Sequence, residues 1–309
     1  MKKNCFQQHK KLIILMIIFG LLAAALSSVL CLIYVAKPNR EIIFTVNAGQ
    51  GTRKVAASLQ SAGAIKSAWA FDGFVYANHW YLQSGVYKIT PQMSMINVAE
   101  MIHSGKVQEY LVTIPEGYRV TQIDDLLSQK GIIVKGSFTK IAKVKEGYLF
   151  PDTYRFPLNV TPIEIENAMT INFDKKTTDL KIDNNTIILA SIVEREARKD
   201  VDRPKIASVY LNRLKIGMKL DADPTIQYGK GSWAQISKSD YQNFQSSYNT
   251  YLVAGLPPTP ICNPGIKSIE AVLAPAQTDY FYFFTTTDGQ TIYSKTYDEH
   301  LANLKKYSK

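Results

Sequence analysis

The sequence of 309 residues predicts a mixed α+β fold behind a single N-terminal transmembrane helix. Three observations carry this prediction. Residues 12–36 form one uncharged apolar run, a strand–turn–helix pattern occurs twice at an offset of 68 residues, and the C-terminal half joins apolar helices to an aromatic hairpin. The predicted order is a cytoplasmic tail (1–11), a transmembrane anchor (12–36), a small α+β module (41–108), a repeated strand–helix bridge (109–145) and a larger α+β domain (146–309).

The run LIILMIIFGLLAAALSSVLCLIYVA (12–36) carries no charge. At about 1.5 Å rise per residue it is long enough to cross a hydrocarbon core of about 30 Å with some tilt. The segment before it, MKKNCFQQHKK, has Lys2, Lys3, Lys10 and Lys11 and no acid. By the positive-inside rule this tail stays in the cytoplasm and the rest of the chain is exported, which gives a single-pass protein of the inner (plasma) membrane with lipid as its first partner. The alternative is a cleaved signal peptide, but its apolar region is usually about 7–15 residues, and this run is longer. Lipidation at Cys31 is disfavoured because the large Leu30 precedes it.

Only Cys262 of the three cysteines lies in the exported part, Cys5 and Cys31 falling in the tail and the anchor. No intrachain disulfide is therefore available there, and stability must come from packing. The formal net charge is +10, and the exported part stays basic after the tail is discounted, which suits anionic lipid or a cell-wall polymer. No zinc spacing, RNA-binding signature or basic–aromatic stripe points to nucleic acid.

The elements follow in order. EIIFTVNAG (41–49) reads as strand and turn. TRKVAASLQSAGAI reads as a helix capped by Thr52, striped by Val55, Ala56 and Leu59, and ended by Gly63. Residues 67–82 read as an aromatic-rich helix, 84–89 as a strand, and the stretch after Ser94 as a helix stopped by Gly105. Then VTIPEGYRVTQIDDLLSQKGII (112–133) falls on FTVNAGQGTRKVAASLQSAGAI (44–65), with Gly49 on Gly117, Leu59 on Leu127 and Gly63 on Gly131.

EGYLFPDTYRF (146–156) opens the larger domain, either as a binding turn or as an apolar loop over a core. Thr161-Pro162 starts a helix. NNTIILASIVEREARKD (184–200) is the central helix, and VDRPKIASVYLNRLKIG (201–217) another, with Pro204 in its first turn and Gly217 at its end. From Asp221 the chain reads mostly as loop. AVLAPAQTDYFYFFTTTDGQTIYS reads as a hairpin turned at Asp288-Gly289, and TYDEHLANLKKY as a terminal helix.

The chemistry centres on the helix of residues 184–200. Ile187 to Val193 is apolar except for Ser191, and Glu194 and Glu196 follow directly. A carboxyl emerging from a buried helix is partly desolvated, and desolvation favours the protonated form that a general acid needs. The plainer alternative is an ion pair of Glu194 with Arg198, four residues on. A Gly-x-Ser-x-Gly elbow, a His-Glu-x-x-His helix and a phosphate loop are absent, and the four histidines (His9, His79, His103 and His300) are scattered. No metal or cofactor is called for. Carboxylate chemistry on a sugar polymer fits an exported domain, in a chain with 18 Tyr, 13 Phe and 3 Trp.

LASIVEREA (189–197), RPKIASVYLNRLKIGMKLDADPTIQYG (203–229), YNTYLVAGLPPTPICNPG (248–265) and SKTYDEH (294–300) resemble the endolytic murein transglycosylases, the YceG-like family. EGYLFPDTY (146–154) looks like that family's lead-in, so the resemblance covers about 110–309. It implies a LysM-like wall-binding module before the catalytic transglycosylase domain. It implies that Glu194 is the catalytic residue, protonating the leaving oxygen of the β-1,4 bond between N-acetylmuramic acid (MurNAc) and N-acetylglucosamine (GlcNAc). As carboxylate, Glu194 then assists attack of the muramyl 6-hydroxyl on C1, which leaves a 1,6-anhydro end. An intramolecular nucleophile of this kind removes the need for the second carboxylate of a retaining glycosidase.

The match also carries over Glu196, Asn212, Asp223, Thr225, Tyr228, Tyr248, Asn249 and Thr250 as residues of the sugar cleft. Glu194-Arg195-Glu196-Ala197 departs from the family's Glu-x-Glu-Thr, and Thr291 stands near a frequent histidine, which affects substrate contacts rather than proton chemistry. The implied partners are peptidoglycan strands, with penicillin-binding proteins and the elongation or division machinery beside them, in a role ending nascent strands. Two other readings stay open. A lysozyme-type hydrolase would need a second acid, Asp223 or Glu196, and a non-catalytic wall-binding scaffold would need neither.

Overall fold

The computed structural model describes residues 14–24, 27–28 and 38–307. Residues 14–24 are helical; the tail 1–11 and the remainder of the predicted anchor, apart from 27–28, lie outside the described residues. Among the described residues no helix is long and apolar enough to cross a membrane. The chain forms two compact units. One holds the residues up to Tyr110 with Phe156–Asn159, and the other holds Leu111–Arg155 with Val160–Lys309.

The first unit contains β1 (Ile42–Val46), α1 (Thr52–Ser61), α2 (Ala68–Ala77), β2 (Gly85–Ile89) and α3 (Met95–His103). The two strands pair antiparallel with Phe44 opposite Tyr87. Alternation along β1 turns Phe44 and Val46 inward, where they meet Val55 and Leu59 of α1, Phe71 and Val75 of α2, and Val98 and Ile102 of α3. Burying each large side chain of this set contributes about 1.5–3 kcal/mol. Ser94 accepts from the Asn97 amide and Asn97 returns the contact to the Ser94 amide, which closes a capping box on α3. Thr52 does not cap α1: it is the first helical residue, and Gly51 is the cap, without a side-chain bond.

The second unit continues with α4 (Val120–Gln129), α5 (Ser137–Ala142), α6 (Pro162–Thr177), α7 (Asn184–Glu196), α8 (Arg203–Lys215), α9 (Asp223–Gly229), the short α10 (Asp240–Asn243), α11 (Ile266–Leu273) and α12 (Tyr297–Tyr307). Its sheets are small. β3 (Glu109–Thr113), of which residues 111–113 belong to this unit, pairs with β4 (Thr153–Pro157), of which residues 153–155 do, and β5 (Tyr282–Thr285) pairs with β6 (Thr291–Ser294) around Gly289. The architecture is mixed α+β, helices around three two-stranded sheets among the described residues.

The repeat is conformational as well as textual. Residues 52–61 and 120–129 are the two helices α1 and α4, 68 residues apart at both ends. Gly49 and Gly117 both adopt φ +75°, and Gly63 and Gly131 adopt +75° and +69°. Each pair supplies the left-handed residue that the turn before and after a helix requires.

Three helices depart from the sequence reading. α9, the four-residue α10 and α11 fall where loop or hairpin was expected. α9 has seven residues and α11 eight, too short for periodicity to separate them from apolar loops. The segment 146–156 is the apolar alternative: Leu149, Phe150, Tyr154 and Phe156 are buried.

Candidate active site

Helix α7 begins at Asp183, whose carboxylate accepts the Thr186 amide at 2.7 Å. Every residue from Ile187 to Val193 is buried. The helix packs against α8 and α11. Ser191, the polar exception in the run, has a defined task. Its hydroxyl donates to the Ile188 carbonyl at 2.7 Å and accepts the Ile261 amide at 3.0 Å. The Cys262 thiol donates to the Ser191 carbonyl. Burial pushes that thiol well above its ordinary pKa, so it serves as a buried apolar group. These bonds bring residues 263–265 alongside the end of α7.

Glu194 stands at that end. Its Oε2 accepts the Gly265 amide at 3.0 Å and the Ser268 hydroxyl at 2.8 Å. The Arg203 guanidinium lies 3.1 Å from the same oxygen, and the two side chains are only 6 % (Glu194) and 9 % (Arg203) exposed. Arg203 also bonds Ser268 and pairs with Asp200 at 3.1 Å. The carboxyl therefore sits at the N-terminus of α11, where free amides and the helix dipole favour an anion. The sequence suggested apolar surroundings or an ion pair with Arg198. The partner is instead Arg203, brought in by a different helix, and the pocket around Oε2 is polar.

Glu196 follows two residues later, about 200° around the helix, and points elsewhere. It lines a cavity of about 440 Å³ with Asp223, Arg195, Arg213, Tyr210 and Tyr251, among others; Glu194 is not in its lining. Tyr210 donates to Glu196 at 3.0 Å, and Tyr251 donates to Asp223 at 2.6 Å. Burial pushes the Glu196 carboxyl to about 7; the Tyr210 hydroxyl opposes this, the Asp223 charge adds to it and Arg213 and Arg195 oppose it. Tyr228 and Tyr248 share a second cavity of about 460 Å³ with Arg119 and Glu146. Their rings lie 5.0 Å apart. Arg195 and Arg119 both lie over the Trp233 ring, 4.2 Å and 5.3 Å from its centre. One residue from each cavity lining thus stacks on the same indole.

The other sequence candidates are placed inside the chain's own hydrogen bonding. Thr225, Asn249 and Thr250 are at most 1 % exposed. The two threonine hydroxyls meet at 2.9 Å, Thr250 also accepts the Ala222 amide, and Asn249 donates to the Phe244 carbonyl. The two threonines fix the loop after α10 onto α9, and Asn249 ties that loop back to α10. Asn212 donates to the Thr278 and Tyr280 carbonyls and holds the approach to β5.

Arg203, Ser268 and Glu146 were not singled out by sequence reasoning. Arg203 and Ser268 hold Glu194, and Ser268 belongs to the unexpected α11. Glu146 is buried at 6 % exposure. Both of its oxygens accept the Val120 amide at the start of α4, and Asn263 donates to it at 3.0 Å. Burial pushes its carboxyl to about 7, against the opposing amide and hydroxyl contacts. The signal available for Glu146 was its place in EGYLFPDTY. For Ser268 there was none at the level of residue pattern.

Comparison with known proteins agrees along most of the chain. The model of the YceG-like family matches residues 44–306. The endolytic murein transglycosylase of Bacillus subtilis (strain 168) is 32% identical over 301 residues, covering 85% of this chain and 83% of that protein. The endolytic murein transglycosylase of Streptococcus pneumoniae (strain ATCC BAA-255 / R6) is 27% identical over 324 residues, covering 87% of this chain and 59% of that longer protein. A 2.6 Å crystal structure of a yceG-like protein from Listeria monocytogenes superposes with a TM-score of 0.56 at 30% identity, over 85% of this chain and 99% of that one. Sequence motifs, the family model and fold likeness coincide, and the chain belongs to the YceG-like family.

Proposed function

We propose that this protein is a membrane-anchored lytic transglycosylase of peptidoglycan. It cuts the β-1,4 bond between MurNAc and GlcNAc within a strand and leaves a 1,6-anhydro-MurNAc end. The observation that carries the reading is the Glu194 carboxyl, held on one oxygen by Gly265, Ser268 and Arg203 directly after the buried run Ile187–Val193. Such anchoring fixes an acid–base group within a fraction of an ångström, which positions it for proton transfer. The names of the Bacillus and Streptococcus relatives support the substrate and the bond class.

Glu196, Asp223, Tyr228 and Tyr248 are the sequence candidates that remain beside cavities, and we assign them to the sugar cleft. The first unit supplies a wall-binding surface. Trp69 and Tyr76, each 81 % exposed, lie on one face of α2 with Gly73 between them, beside a cavity of about 610 Å³. Residues 12–36 hold the enzyme in the membrane, beside newly made strands, where cutting ends their growth.

The test is digestion of purified peptidoglycan by the full-length protein in detergent and by Glu194→Gln, with the new glycan ends identified by mass spectrometry. Anhydro-MurNAc ends made only by the unmodified protein are expected. Reducing ends would make the protein a hydrolase of the same bond. Wall binding without cleavage of nascent strands would leave a scaffold.

A further inference from the structure

A second carboxyl stands at Glu194, and the sequence did not single it out. Glu116 lies in the turn between β3 and α4, just before the left-handed Gly117. The first copy of the repeat has Ala48 at the equivalent position, so the strand–turn–helix unit forms without a carboxyl there. Two backbone bonds draw this turn to the end of α7: the Gly117 amide donates to the Asn263 carbonyl, and the Asn263 amide donates to the Tyr118 carbonyl, each at 2.9 Å.

The Glu116 carboxyl rests directly on Gly265. A Cβ built on that glycine would lie 2.0 Å from Glu116 Oε1. Gly265 in turn gives its amide to Glu194 Oε2. The Arg203 guanidinium spans the two acids, Nη1 at 3.1 Å from Glu194 Oε2 and Nη2 at 3.9 Å from Glu116 Oε2. The two differ in access. The Glu116 side chain is 47 % exposed, against 6 % for Glu194, so an arriving glycan meets Glu116 first.

We propose that the proton work of the cleavage, which the family resemblance gives to Glu194 alone, is divided here, with Glu116 as the general acid and Glu194 as the base. This rests on the transglycosylase reading above. Glu194 Oε2 accepts from a backbone amide and a hydroxyl and faces a guanidinium, three donors on one oxygen, while the Glu116 carboxyl is the exposed member of the pair. Partial burial raises its carboxyl pKa and the facing Glu194 charge adds to this; Arg203 opposes, Asp200 adds, and Lys267 of α11 opposes.

As the C1–O4 bond breaks, its electron pair goes to O4, and O4 takes the proton of the Glu116 carboxyl. O6 bonds to C1 and gives its proton to the Glu194 carboxylate. The proton then passes from Glu194 to Glu116 through solvent, and the pair is restored with no net proton consumed.

The experiment compares two substrates with the full-length protein in detergent. One is uncrosslinked glycan strands. The other is the 4-nitrophenyl glycoside of GlcNAc–MurNAc, whose leaving phenolate needs little protonation. Glu116→Gln is expected to lose about 10²–10⁴-fold in kcat on strands and to stay within about tenfold of the unmodified protein on the aryl glycoside. Glu194→Gln is expected to lose activity on both. An unaltered rate of Glu116→Gln on strands, or an equal loss on both substrates, would overturn the assignment of Glu116. Full activity of Glu194→Gln on both would instead remove the underlying reading of Glu194. Thermal unfolding of Glu116→Gln matching the unmodified protein is expected from the partial exposure of the side chain, and keeps the comparison one of chemistry.

Discussion

Arg203 and Glu194 form an ion pair at 3.1 Å in which both side chains are more than nine-tenths buried. The charges come from two helices, α7 and α8, and meet at the N-terminus of a third. Removing one partner of such a pair leaves the other charge buried and uncompensated, at a cost of about 3–5 kcal/mol. Arg203→Ala is therefore expected to destabilise the second unit by that amount and to remove activity. Denaturant unfolding of the full chain measures the first effect and strand cleavage the second. A loss under about 1 kcal/mol would mean the pair is not closed in solution.

Gly265 has an ordinary φ of −74°, so a methyl group there meets no backbone penalty. It meets the Glu116 carboxyl instead, which is the mobile end of a half-exposed side chain. Gly265→Ala should fold with a stability change within about 1 kcal/mol and displace Glu116. The two-substrate comparison should then give the profile of Glu116→Gln. Unchanged strand cleavage would show that Glu116 need not rest on Gly265.

Glu146 gives a pH dependence with a definite sign. Its folded carboxyl stands at about 7, above the ordinary value of 4.5. The folded state thus keeps the proton that the unfolded chain releases. Its contribution to stability is full below about pH 4.5 and declines as pH rises through 7, by about 3 kcal/mol across the range. Glu146→Gln cannot ionise. Its stability relative to the unmodified protein should rise from pH 5 to pH 8, as read from urea midpoints at each pH. A constant difference would mean that Glu146 is ionised throughout.

Asn263 is fully buried and uses its whole side chain. Its Oδ1 accepts the Gly147 and Leu149 amides, and its Nδ2 donates to the Tyr118 carbonyl and to Glu146. Alanine there leaves the buried Gly147 and Leu149 amides without their acceptor, at about 1–3 kcal/mol each, and takes one donor from Glu146, which keeps the Val120 amide. Asn263→Ala is expected to lose more than about 3 kcal/mol and to free the turn that carries Glu116. A smaller loss in denaturant unfolding would mean that water replaces the amide.

Trp69 and Tyr76 lie seven residues apart on α2, which places them about 10 Å apart along the helix axis. Trp69→Ala with Tyr76→Ala should weaken sedimentation of the protein with insoluble peptidoglycan by tenfold or more, while cleavage of short soluble strands changes little. Unchanged sedimentation would move wall binding elsewhere.

Much of this protein is written in local pattern. The repeat was legible because turns demand glycine at left-handed positions, and Gly49, Gly63, Gly117 and Gly131 mark both copies. The caps at Ser94 and Thr161, the turn at Gly289 and the buried run from Ile187 to Val193 follow from period and side-chain chemistry alone. Glu194 was visible as a charge set against an apolar helix.

The surroundings of Glu194 were not legible, because they are assembled from segments far apart in sequence. Arg203 comes from the next helix, Ser268 from a helix too short to show a period, and Glu116 from a turn 78 residues upstream. Arg198 had the right spacing, but it lines the cavity of Glu196 and Asp223. Thr225, Asn249 and Thr250 matched the family's motifs yet are spent on holding their own loop. Local sequence determines which residues a helix can present. Only tertiary packing determines which donor reaches which oxygen, because the hydrogen bonds of a buried carboxyl must be completed by whatever the fold brings within 3 Å.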